Sequence, residues 1–165
     1  MAYEFVVEDG TGVVDATSYA SVSDADDYAT FIDEQDWFSL TAPSKERYLQ
    51  LATMFVDNLL NWAGDLLTDT QSLNFPREEF QDMSGRVITG LPDVISLSTI
   101  QLAISSMEHE LTVDPIRLKS QAWGSTREEY SGEYAEDGAG VLDVKKNLAR
   151  LGYGSTTTFI TAQRA

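Results

Sequence analysis

Few residues in this chain could do chemistry. The single histidine, His109, lies in Glu108-His109-Glu110, and a helical zinc protease would need a second histidine four positions away, which is absent. No cysteine exists to serve as nucleophile, thiolate ligand or disulfide partner. Asp24, Asp26 and Asp27 open like a calcium loop, yet the glycine at its sixth position and the glutamate at its twelfth are missing, so helix capping is the better reading. Gly10-x-Gly12 lacks a third glycine, a following apolar helix and a P-loop lysine, which argues against a phosphate cradle. Catalysis needs groups of tuned pKa brought together. This inventory predicts a protein that is not an enzyme and uses no metal or cofactor.

Nucleic-acid bases could stack on Trp37, Trp62 or Trp123. Trp62 closes an apolar stripe and reads as core, while Trp37 follows Asp33, Glu34 and Asp36, which would repel a strand. Trp123 alone has cations nearby, Arg117, Lys119 and Arg127, and Glu128, Glu129 and Glu133 offset them. The wider balance points the same way. The 165 residues hold 27 acids and 11 bases, a net −16, where a nucleic-acid binder needs a basic stripe to replace the counterions of phosphate. Residues 1–70 carry 14 acids against Lys45 and Arg47 alone, a net −12. Residues 143–165 invert to +3, with Lys145, Lys146, Arg150 and Arg164 against Asp143. An anionic membrane is disfavoured for the same reason, and with no 18-residue apolar run and an acidic start the chain reads as soluble and unprocessed. The absence of cysteine suits a reducing cytosol.

The elements that must position these residues form one domain. Short β-prone runs around Glu8 to Gly12 predict a hairpin over 4–14. Ser23 is a candidate N-cap for a first helix ending near Asp36, and Ser44 for a second, with Tyr48, Leu51, Phe55, Leu59 and Trp62 as its stripe and Ala52 and Val56 widening it. Residues 65–91 show no sustained period and read as a long ordered loop. Pro92 or Asp93 opens a third helix with Leu97, Ile100, Ile104, Met107 and Leu111 on one face, stopped by Asp114-Pro115 and packed antiparallel on the second. A second hairpin is predicted over 116–134, then a short helix within 141–151 with Val144, Leu148 and Leu151 inward. The fold class is therefore mainly α, a small bundle of three to four helices with an accessory β-hairpin and extended termini. Residues 1–154 form the single domain, and 155–165 form a β-branched arm suited to docking.

Three pieces of sequence resemble a known family. They are the opening from Val7-Glu8-Asp9-Gly10-Thr11-Gly12-Val13 through Asp15 to Ser21 into Asp24-Ala25-Asp26-Asp27-Tyr28, the helix from Lys45 to Trp62 followed by Leu73-Asn74-Phe75-Pro76-Arg77, and Gly90-Leu91-Pro92. Together they look like the head-tail connector proteins of tailed bacteriophages, often described as DnaT-like single-stranded-DNA-binding. Phe75 stands where that family usually has tryptophan. The resemblance implies a non-enzymatic virion protein of the viral neck, made in the bacterial host cytoplasm. It would form a twelve-subunit ring that joins the portal protein to a tail-side neck or tail-terminator protein, with DNA passing through without tight binding. Twelve copies at −16 each would repel phosphate from a channel wall. On this reading Phe159, Ile160, Thr161, Gln163 and Arg164 dock on the portal. Phe5, Val7, Phe75, Arg77 and Trp123 are candidates for subunit or tail contacts, and Asp24, Asp26, Asp27, Asp33 and Glu34 for the repulsive wall. The alternative is a DnaT-like single-stranded-DNA-binding protein of replication.

Overall fold

The computed structural model describes residues 4–59, 62, 64–82, 84–108, 120–123, 126–129, 144, 147, 148 and 151, with only the backbone for 120–123 and 126–129. Among the described residues it is mainly helical, with four bounded helices, α1 (Val22–Phe31), α2 (Gln35–Phe38), α3 (Ala42–Leu59) and α4 (Asp93–Ser105), and helical backbone again at 144, 147 and 148. α1 starts where a reciprocal capping box is possible. The Asp24 N–H donates to Ser21 Oγ at 3.1 Å, and the Asp24 carboxylate accepts from the Ser21 N–H and hydroxyl. Ser23, the expected cap, therefore lies inside the first turn. The expected continuation to Asp36 is also interrupted. Asp33 takes a left-handed conformation (φ 59°) and turns the chain into the single turn of α2, capped by Glu34, which accepts from the Asp36 N–H.

α3 begins ahead of the expected Ser44 cap, because Pro43 sits in the first turn, where its missing N–H costs nothing. Its buried face is Lys45, Leu49, Ala52, Thr53, Val56 and Leu59. The predicted stripe shares Ala52, Val56 and Leu59 with it, but Leu51 is exposed and Tyr48 and Phe55 only pack against the core edge. Positions 48, 51 and 55 keep the same spacing as 49, 52 and 56, so periodicity cannot fix the helix's phase. Polar contacts from other segments fix it instead: Asp26 on Lys45, Tyr19 on Thr53 and Asn74 on Asp57.

α4 is the central helix. It packs against both α3 and α1 and buries Ile95, Ser98, Thr99, Ile100, Leu102, Ala103 and Ile104, so it is covered on more than one face. The single stripe expected from Leu97 is incomplete, since Leu97 itself is exposed. The helix ends at Ser105, well before Asp114-Pro115, and Leu111 lies outside the described residues.

The described residues of the 65–91 loop carry no regular helix or strand, as expected, and they supply core. Phe75 and Phe80 are buried, and their rings stack edge-on in series with Trp62, at centroid separations of 5.4 and 5.0 Å. Such edge-to-face pairs add about 1 kcal/mol each beyond their burial. The N-terminal hairpin over 4–14 does not form. Residues 4–19 instead make an arch in which Val7 bridges Ser18 in parallel, and Val6 carbonyl oxygen accepts from the Thr17 and Ser18 N–H groups. An accessory β-hairpin is not supported as part of this fold: of the predicted stretch 116–134, only the backbone of Ser120–Trp123 and Thr126–Glu129, which pair antiparallel, falls among the described residues. The helical body does not rest on it: among the described residues the core consists of helix and loop side chains, including Val144, Leu148 and Leu151. No described helix is long and apolar enough to cross a membrane.

Candidate functional site

Three polar knots hold the body together. In the first, buried Glu8 folds the glycine loop around its own carboxylate, accepting from the Gly10 and Gly12 N–H groups at 2.9 Å and the Val13 N–H at 2.8 Å. The cradle that Gly10-x-Gly12 forms is thus filled by the chain's own anion. Gly10 at φ 93° also lies so close to Leu91 that an added Cβ would stand 2.8 Å from its nitrogen, which ties the arch to the start of α4.

The second knot joins the arch, α3 and the long loop. Tyr19 hydroxyl donates to Asp57 Oδ1 and accepts from the Phe75 N–H at 3.0 Å. Asn74 donates to the same carboxylate through its main-chain N–H (3.0 Å to Oδ1) and its amide (3.1 Å to Oδ2). Burial raises the Asp57 carboxyl above its ordinary value, against the lowering effect of the Tyr19 and Asn74 donors. Burial, and then the Asp57 charge, push the Tyr19 phenol well above its usual range, so it stays a protonated donor. A half-buried carboxylate with three donors could suggest an acid or base, but every donor is a fixed part of the fold and the arrangement reads as a pin.

The third knot joins α1, α2 and α3. Asp26 Oδ1 accepts from Lys45 Nζ and from Trp37 Nε1, both at 2.7 Å. Lys45 Nζ lies 5.5 Å from the centroid of the Trp37 ring and 5.2 Å from that of Phe38. Trp37 is fully buried, which removes it from the surfaces on which a base could stack.

The structure scatters the sequence candidates. Phe75 lies in the core, not on a contact surface, and Arg77 is half-buried and turned inward, donating to Asn74 and Gly64 carbonyl oxygens at 2.8 and 2.5 Å. Phe5 and Val7 are half-buried, Phe5 against the core edge. Of the wall acids, Asp24, Asp27 and Asp33 are exposed, Asp26 is neutralised by Lys45 and Glu34 caps α2. The side chain of Trp123 and the whole arm from Phe159 to Arg164 lie outside the described residues. Glu8, Tyr19, Asp57 and Asn74 are not recognisable as a set in the sequence, where they lie far apart. Their one signal was a carboxylate, Asp57, beside the apolar stripe of α3.

What these elements present outward is negative charge. Residues 4–108 hold 19 acids and four cations, a net −15 of the chain's −16. Thirteen of those acids are exposed. Of the four cations, Lys45 is committed to Asp26, Arg86 to Asp82 and Arg77 to carbonyl oxygens, while Arg47 has no ion pair among the described residues. Asp82 is itself locked in its turn, accepting from the Ser84 and Arg86 N–H groups at 2.8 and 3.0 Å. Among the described residues no three His, Asp or Glu side chains gather to hold a metal ion. The remaining seven cations all lie in residues 109–165, against eight acids.

One family model matches the chain, over residues 3–165, and its description is "Putative DnaT-like ssDNA binding protein". No curated protein and no solved structure matches.

Proposed function

The chain belongs to the DnaT-like ssDNA-binding family, and we propose that it works beside DNA without gripping it, as a subunit of a ring at the neck of a tailed-phage particle. The ring joins the portal to the tail and lines the DNA exit path. One observation carries this reading: the body from 4 to 108 exposes 13 acids, and three of its four cations are held by the chain's own groups, Lys45 by Asp26, Arg86 by Asp82 and Arg77 by carbonyl oxygens. A phosphate backbone approaching that body meets repulsion and finds, among the described residues, only Arg47 outside an ion pair or carbonyl contact to displace its counterions, whereas a channel wall past which DNA slides is served by that sign. The arm 155–165 docks on the portal, and the chain has no catalytic role.

Single-stranded-DNA binding is the second reading, and the description of the matching family favours it. In this chain it would have to use residues 109–165, where seven of the 11 cations and Trp123 lie. Anisotropy of a labelled single strand, titrated with the full chain at low salt, separates the two. The neck reading expects no saturable binding. Saturable binding that weakens steeply with added salt makes the chain a single-strand binder and overturns it.

A further inference from the structure

Two helix rows of the described body stand in water and match each other. On α1, Asp27 and Phe31 lie one turn apart on one face, the carboxylate exposed and without an ion pair among the described residues, the ring 84% exposed. On α3, Arg47, Leu51, Met54 and Asn58 follow at spacings of four, three and four, which keeps them on one face. All four are exposed, Leu51 at 43% and Met54 at 61%. Neither acid of α3 joins this row: Asp57 turns to Tyr19 and Asn74, and Glu46 lies about 100° around the helix from Arg47. Arg47 is also the one cation of residues 4–108 that stands outside an ion pair or carbonyl contact among the described residues. The row is therefore an apolar strip beside a free cation, on a body that otherwise exposes acids. Large apolar side chains held out in water mark a contact surface.

Both rows set a charged and an apolar side chain at positions i and i+4, about 6 Å apart, and the charges are opposite: Asp27 with Phe31 on α1, Arg47 with Leu51 on α3. Laid side by side in parallel, they bring the carboxylate to the guanidinium and Phe31 to the gap between Leu51 and Met54. Within one chain α1 and α3 pack through other faces, since both rows remain exposed, so neither row covers the other in its own molecule. We infer that the Asp27–Phe31 row of one copy docks on the Arg47–Leu51–Met54 row of a second copy of this chain. Apolar contact supplies the affinity and the ion pair sets the register. The acid-free strip is also where a second copy of so acidic a body meets least repulsion. The two rows differ, so the contact is head-to-tail, the kind that builds a ring when its rotation closes. This names the subunit contact of the ring proposed above and rests on that reading.

Sedimentation velocity of the full chain tests it. Phe31→Ser and Met54→Ser, both at exposed positions and shown folded by circular dichroism, are each expected to weaken self-association about tenfold or more. Asp27→Arg and Arg47→Asp should each weaken it severalfold, and the chain carrying both should recover wild-type assembly, because each reversed row then meets a reversed partner. Loss of assembly in only one of the two serine variants, as a symmetric α3–α3 contact would give, overturns this contact and leaves the ring standing. So does a doubly reversed chain no better than either single reversal, or assembly untouched by every variant. A wild-type chain that stays monomeric at all concentrations overturns both.

Discussion

Replacing Asp57 with alanine should loosen the body more than any surface acid would. The carboxylate accepts from three groups on two other segments, the Tyr19 hydroxyl and the Asn74 main-chain and amide N–H groups. Leaving those donors unpaired costs about 1 kcal/mol each at the low end for partly buried groups, roughly 3 kcal/mol together. Relief of the burial that raises the Asp57 pKa returns part of this, so the net loss is about 2 kcal/mol. For a chain of this size that lowers the melting temperature by roughly 4–8 °C. Urea titration followed by tryptophan fluorescence reads it directly, since Trp62 donates to the Asp57 carbonyl oxygen and packs on Phe75 beside the knot. Tyr19→Phe breaks one of the three bonds and also removes the acceptor of the Phe75 N–H. In a double-mutant cycle the two changes should couple by about 1 kcal/mol. An Asp57→Ala variant within about 0.5 kcal/mol of wild type would refute the claim that this knot pins the arch and loop to α3.

Other consequences concern the remaining knots and pH. Asp26→Ala strands the Lys45 ammonium and the Trp37 N–H in a buried site and should cost about 3 kcal/mol, against about 1 kcal/mol for Asp24→Ala, which loses only the α1 capping box. Gly10→Ala should destabilise by about 2 kcal/mol or more in a thermal melt, because both its positive φ and the 2.8 Å approach to Leu91 exclude a side chain. Asp57 has a raised folded pKa, so its titration contributes stability that is complete below the ordinary value of 3.8 and lost as pH rises through the folded pKa. The wild type's margin over Asp57→Asn in urea titrations should therefore grow on acidification towards pH 3.8. The Arg86 main-chain N–H above all holds the Asp82 carboxyl below its ordinary value, which gives the opposite sign. Its contribution is present at neutral pH and lost as pH falls through the folded pKa, and Asp82→Asn should flatten that acid limb.

The parts of this fold legible in the sequence are those governed by local rules. Helical character over α3 and α4, the opening of α4 at Pro92 and the ordered long loop follow from spacing, proline and glycine. What was illegible depends on partners far along the chain. The phase of α3 is set by Asp26, Tyr19 and Asn74, none of which a window on α3 can see. Trp37 and Phe75, which lie outside the apolar stripes of the long helices, are core residues contributed by α2 and the loop. The N-terminal arch differs from the expected hairpin because its turn is organised by a buried side chain, Glu8, instead of by paired strands. The acid excess was legible as a number, and the structure sharpened it: 15 of the 16 net charges belong to residues 4–108, and the four cations there are mostly spent on internal contacts.

Electron microscopy of the purified full-length chain mixed with portal assemblies tests the central claim most directly. The account predicts a collar of density at one end of the portal, surrounding and not blocking the channel, with the chain alone forming or approaching rings. A chain that remains monomeric and leaves the portal bare would contradict it.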